Sequence, residues 1–141
     1  MNNRKPCYTI PEPSTAAHSP SAKLNDDGST LTLRYDYDRY RDHDFVGVFR
    51  SGLRFQDVRA YRFRAESHCT LWHIRDVFDT LVEIEDSDWV EELRSLSKGM
   101  TLRSREMHHY MIYLDSSGCY EIAARSWEAL PEEEGAWDNG S

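Results

Sequence analysis

Residues 108–124 read HHYMIYLDSSGCYEIAA, and this stretch decides the fold. Tyr110, Ile112 and Leu114 alternate with His109, Met111 and Tyr113, which is the two-residue period of a β-strand. Asp115-Ser116-Ser117-Gly118 then supplies turn chemistry. The Asp side chain can bond backbone N–H groups two residues on, and Gly accepts a positive φ. Cys119 to Ala124 returns with Tyr120, Ile122 and Ala124 on one face and Cys119, Glu121 and Ala123 on the other. The expectation is a closing β-hairpin near residues 107–126.

Upstream of it, Asp86-Ser87-Asp88 opens the clearest helix signal in the chain. Ser87 or Asp88 can cap it, with Glu91 three residues beyond Asp88. Trp89, Val90, Leu93 and Leu96 form an apolar stripe, Arg94 and Lys98 fall in the last turns, and Gly99 can end it. One short helix is expected over residues 87–98, with Trp89 in the core. Before it, Leu81 to Ile84 is strand-like. Further upstream, Leu31, Leu33, Tyr35 and Tyr37 share one face of a strand over residues 30–37. Phe45 to Phe49 and Leu53 to Arg64 add strands, with a bulge or tight turn at Gln56-Asp57. The charged run Asp38 to Asp44 reads as a loop, Ser51-Gly52 as a break, and Ser67 to His73 as a connector. No strand–helix alternation appears, so the fold class is mainly β (α+β): an antiparallel sheet or β-sandwich with one helix.

The 141 residues allow one domain, expected over residues 30–130. Residues 1–29 hold four of the five prolines and much Ser, Thr and Ala, the composition of a tail, although Tyr8 and Ile10 could dock. Residues 131–141 read as an acidic tail. Net charge is −8, with a basic excess only over residues 31–65. Binding to nucleic acid rests on phosphate neutralisation and is disfavoured, whereas a basic protein partner suits this surface. No 18-residue apolar run and no leader pattern is seen, so a membrane is not expected. The odd count of three cysteines, without close spacing, fits a reducing cytoplasm. Fourteen of the 17 basic residues are Arg, the bias of a GC-rich bacterial gene.

Four constellations bear on chemistry. Cys69, His73, His109 and Cys119 make a possible zinc set, though at no standard spacing. Cys119 with His109, oriented by Asp115 or Glu121, makes a possible nucleophilic pair, and a small hydrolase would use it. Asp36, Asp38, Asp42 and Asp44 alternate with Arg and Tyr and read as a self-neutralising run. Tyr35, Tyr37 and Tyr40, together with Glu83, Glu85, Asp86 and Asp88, make the expected partner-contact surface, because Tyr is a frequent interface anchor and the acids suit a basic partner. Met111 and Tyr113 either pack under a second layer or form an exposed face.

The segments FDTLVEIEDSDWVEEL (78–93), HHYMIYL (108–114) and DSSGCYEIAARSWE (115–128) together resemble small bacterial proteins of immunity-protein-like type. The resemblance covers roughly 50 residues of this chain and carries structural rather than catalytic positions. It implies a non-enzymatic, cytoplasmic protein that neutralises a basic partner toxin, with no cofactor. The alternatives are a zinc-binding protein or small hydrolase on the His/Cys set, and a structural module that pairs with itself through an edge strand.

Overall fold

The computed structural model describes residues 3–10, 22–96, 106–114 and 117–137. Its strands are β1 (Arg4–Thr9), β2 (Lys23–Asp26), β3 (Leu31–Arg41), β4 (Asp44–Gln56), β5 (Ala60–Ala65), β6 (Thr80–Ile84), β7 (His108–Leu114), β8 (Gly118–Ala124), β9 (Ser126–Ala129) and β10 (Glu133–Glu134). Its helices are the single turn α1 (Leu71–Ile74) and α2 (Asp88–Leu96).

The hairpin β7–β8 is the centre of the molecule. Its register runs from His108 opposite Ala124 to Leu114 opposite Gly118. It sits inside an antiparallel sheet of order β1-β6-β7-β8-β5. The second sheet is also antiparallel. β2, β3 and β4 lie side by side, and β9 and β10 share the far edge of β4. Leu31, Leu33, Tyr37, Leu53 and Phe55 of this sheet pack against Leu81, Tyr110, Ile112, Leu114 and Ile122 of the hairpin sheet, and the two sheets form a sandwich. Alternation along each strand puts these residues on the inner faces.

The outer face of the hairpin sheet is covered too. Met111, Tyr113 and Cys119 pack under Val77 and against Cys69, Trp72 and Ile74 of the segment around α1. Ala123 packs under Val90 of α2 and Met107. Met111 and Tyr113 are therefore core. This third layer explains why every residue of β8 is buried. A central strand covered on both faces does not need polar alternation.

Several expectations are corrected. Residues 4–9 are a strand rather than tail, and the short partner strand that the turn signal at residues 25–28 implies for Ala22 to Leu24 is present as β2, running on to Asp26. Proline marks β1 as non-regular in composition, but β1 is an edge strand with a register shift between Pro6 and Tyr8, where a missing N–H is tolerated. Ile10, just beyond it, is buried, and its N–H bonds Asp79 O at 3.0 Å. The run Asp38 to Asp44 is not a loop. β3 and β4 continue through it to a two-residue turn at Asp42 and His43, both with positive φ (52° and 71°). The charged residues suit a ribbon that projects beyond the sandwich. Residues 131–137 are held as well. Trp137 Nε1 donates to Tyr35 O and Ser51 O at 2.9 and 3.0 Å, and Glu132 takes hydrogen bonds from Arg39 and Tyr37. β4 runs straight through Ser51-Gly52, which pair with Tyr35 and Arg34, and glycine fits there since a Cβ at Gly52 would lie 2.6 Å from Leu33 O. The tight turn at Asp57 (φ 50°) separates β4 from β5 as expected. Trp89 is only partly buried, and Val90 is the buried residue of α2. Asp115, Ser116, Lys98 and Gly99, on which turn and helix-end expectations rested, lie outside the described residues.

Candidate functional site

The end of β6, the start of α2 and the start of β7 meet at one cleft of about 270 Å³. β6 stops at Ile84, Asp86 takes a left-handed φ of 54°, and Ser87 begins α2. Ser87 Oγ accepts the Val90 N–H at 3.2 Å, the ordinary N-cap bond. Ser87 is thus the cap, and the alternative box of Asp88 with Glu91 is not what closes the helix. The cleft is lined by Glu83, Glu85, Asp86 and Glu91, with Ser87, Arg94, His108 and His109 among them. Glu83 Oε2 and His108 Nδ1 are 2.8 Å apart, and Arg94 is paired with Glu91. The acids therefore outnumber the bases.

Behind the cleft runs a buried polar chain. Ser87 Oγ and His109 Nδ1 are hydrogen-bonded at 2.7 Å, and His109 Nε2 and Glu121 Oε1 at 2.8 Å. Arg62 clasps Glu121 with Nε and a terminal nitrogen at 2.9 and 3.0 Å. Burial by itself would raise the Glu121 pKa, but the hydrogen bonds from His109 and Arg62 outweigh it and hold the carboxyl down at about 2. The Trp89 and His109 rings meet edge-to-face with centroids 4.9 Å apart, and the Arg62 guanidinium lies 4.3 Å over Trp89.

A second cleft lies on the same outer face, between Arg62, Arg64, His68, Trp72 and His73, and reaches Glu121. His73 Nδ1 accepts the Thr70 N–H at 2.9 Å. Burial, then the nearby Arg64 charge, push the His73 pKa down.

The structure gathers Glu83, Glu85 and Asp86 at one site, whereas Asp88 is exposed and does not line it. Tyr35 and Tyr37 are core residues. Of the three tyrosines, Tyr40 alone faces solvent (59% exposed), in an edge-to-face contact with Phe45 near the β3–β4 turn. The His/Cys set is not brought together. Cys69 and Cys119 share one apolar cluster, while His109 sits opposite Ala123 with both ring nitrogens engaged. Among the described residues, no three His, Cys, Asp or Glu side chains are grouped to hold a metal ion. Cys119 is buried and its thiol pKa is pushed up by that burial, then by the Glu121 charge, which removes it as a nucleophile. The pairing of Glu121 with His109 is found, but the hydroxyl beside the ring is that of Ser87. Reading Ser87 only as a cap hid this. Arg62 carried no signal in sequence, because its register with Glu121 depends on the β5–β8 pairing.

No family model matches the chain, and no curated protein or solved structure matches it. No helix among the described residues is long and apolar enough to cross a membrane.

Proposed function

We propose that the protein acts by binding another protein, and that its acidic cleft receives a basic side chain of that partner. The observation that carries this is the convergence of Glu83, Glu85, Asp86 and Glu91 on one concave site. A half-enclosed acidic cleft focuses its field and favours a cation there over water. In its sharpest form the reading is an immunity-type protein of the bacterial cytoplasm that neutralises a basic toxin. The three free thiols suit a reducing compartment. The exposed tip of the β3–β4 ribbon, with Tyr40, Phe45 and Val46, offers an aromatic contact of the kind that anchors interfaces.

The test is charge reversal. Glu83→Lys combined with Asp86→Lys leaves the core untouched and inverts the cleft. Affinity for the partner, measured by calorimetry, should fall by roughly 100-fold or more, as expected when close charge pairs are lost. Raising the salt concentration should weaken the wild-type complex more than the variant's. A variant that binds as tightly as the wild type would remove the cleft from the interface.

A further inference from the structure

We propose that Ser87, His109 and Glu121 form a nucleophilic relay able to hydrolyse small cationic esters in the acidic cleft. The relay requires one proton arrangement along these two short contacts. Glu121 is ionised and can only accept, so the hydrogen in its 2.8 Å bond belongs to His109 Nε2. The relay uses the neutral ring, in which Nδ1 accepts the Ser87 hydroxyl across the 2.7 Å contact. This is the proton arrangement of a Ser–His–acid hydrolase with the two ring nitrogens exchanged. Arg62 keeps Glu121 charged, which fixes the productive tautomer. Ser87 and His109 line the inner wall of the cleft, at 6% and 3% exposed.

The surrounding backbone fits the same chemistry. Strand β6, a turn with left-handed Asp86 and helix α2 present Ser87 at a helix start, as a nucleophile elbow does. The Val90 N–H is spent on Oγ as the cap bond, while the other N–H groups of a first helical turn have no partner within the helix. Trp89 against the His109 ring limits water at the base.

In the reaction, Oγ forms a bond to the ester carbonyl carbon and its proton passes to Nδ1. The tetrahedral intermediate collapses, the carbon–alkoxide bond breaks, and the alcohol leaves with the proton from Nδ1. Water then attacks the acyl-serine with its proton passing to Nδ1. The acid is released, and that proton returns to Oγ. Ester and water give acid and alcohol, with no other reactant. The cleft volume limits the substrate to a small one, and Glu83, Glu85, Asp86 and Glu91 select for a positive charge on it.

This inference does not rest on the partner-binding reading and is tested on the full chain alone. The chain is incubated with a small alkyl fluorophosphonate and analysed by intact mass and peptide mapping. One adduct per chain on Ser87 is expected. Ser87→Asn keeps a capping oxygen, its fold is checked by circular dichroism, and it should take no adduct. His109→Gln should slow labelling by about 100-fold or more. Glu121 is a positioning residue. In Glu121→Gln the imidazole 15N resonances of His109 should lose the fixed Nε2–H tautomer as labelling slows. Hydrolysis of acetylthiocholine should exceed that of an uncharged thioester of the same size. An unlabelled wild type, an adduct on another residue, or Ser87 labelling at full rate in His109→Gln would overturn the proposal.

Discussion

Replacing Glu121 by Gln tests the buried polar chain quantitatively. The amide has the shape of the protonated carboxyl, so the cost of the substitution is set by how strongly the fold prefers the charged form. The Glu121 pKa is held at about 2, against an ordinary value of 4.5. That difference corresponds to about 3 kcal/mol at neutral pH. The side chain is only 6% exposed, so solvent screening takes little from this figure. Arg62 is half-exposed and can resolvate when released, which leaves most of the cost on His109, buried at 3%. A loss of about 3 kcal/mol is a large share of the roughly 5–15 kcal/mol that holds a domain together. It should lower the urea midpoint by about 1.5 M, with an unchanged slope. The pH dependence fixes the sign. A carboxyl whose pKa is depressed on folding stabilises above its unfolded value, and that stability is lost as pH falls toward the folded value. The wild type should therefore lose its advantage between about pH 4.5 and pH 2, and at pH 3 the gap between the two proteins should shrink to less than about half its value at pH 7. Titrations of groups that do not touch Glu121 cancel in the difference. A gap below 1 kcal/mol at pH 7, or one that does not narrow at pH 3, would refute the reasoning.

Other consequences are simpler to check. Gly118 has a φ of 150°, and a Cβ there would collide with the Arg64 carbonyl, so Gly118→Ala should cost about 1–3 kcal/mol in urea unfolding and loosen β5 from β8 in amide exchange. Met111 is fully buried under the α1 segment, and Met111→Ala should cost about 2–5 kcal/mol, whereas Leu71→Ala, 71% exposed, should stay within about 0.5 kcal/mol. In the native protein, iodoacetamide at pH 8 should leave Cys119 unmodified until denaturant is added, because burial both shields the thiol and raises its pKa.

Much of this fold was legible in short-range pattern. The β7–β8 hairpin follows from strict alternation around a turn, and α2 from a cap and a 3/4 apolar stripe. β1 and β10 were not legible, because each is a strand only by virtue of a partner far away in sequence. Pro6 and the acids of residues 132–134 carry the composition of tails, yet the partner edges at β6 and β4 hold them. The Asp-rich ribbon of β3 and β4 was misread for a similar reason: charge argues for solvent, and a projecting hairpin is solvated on both faces. At the candidate site, Glu83, Glu85 and Asp86 form a charge cluster in the sequence, and the fold turns them toward one cleft. The Ser87–His109–Glu121 chain was half visible. The shared face of His109 and Glu121 follows from parity, but Ser87 reaches them only because α2 crosses over β7 and β8.

The central claim is that the acidic cleft engages a basic protein, and native mass spectrometry of the protein isolated gently from its own host tests it most directly. The wild type should carry a second, basic protein in fixed stoichiometry, and the Glu83→Lys, Asp86→Lys variant isolated in parallel should emerge without it. A wild-type chain that always emerges alone, or a partner retained undiminished by the variant, would contradict the account.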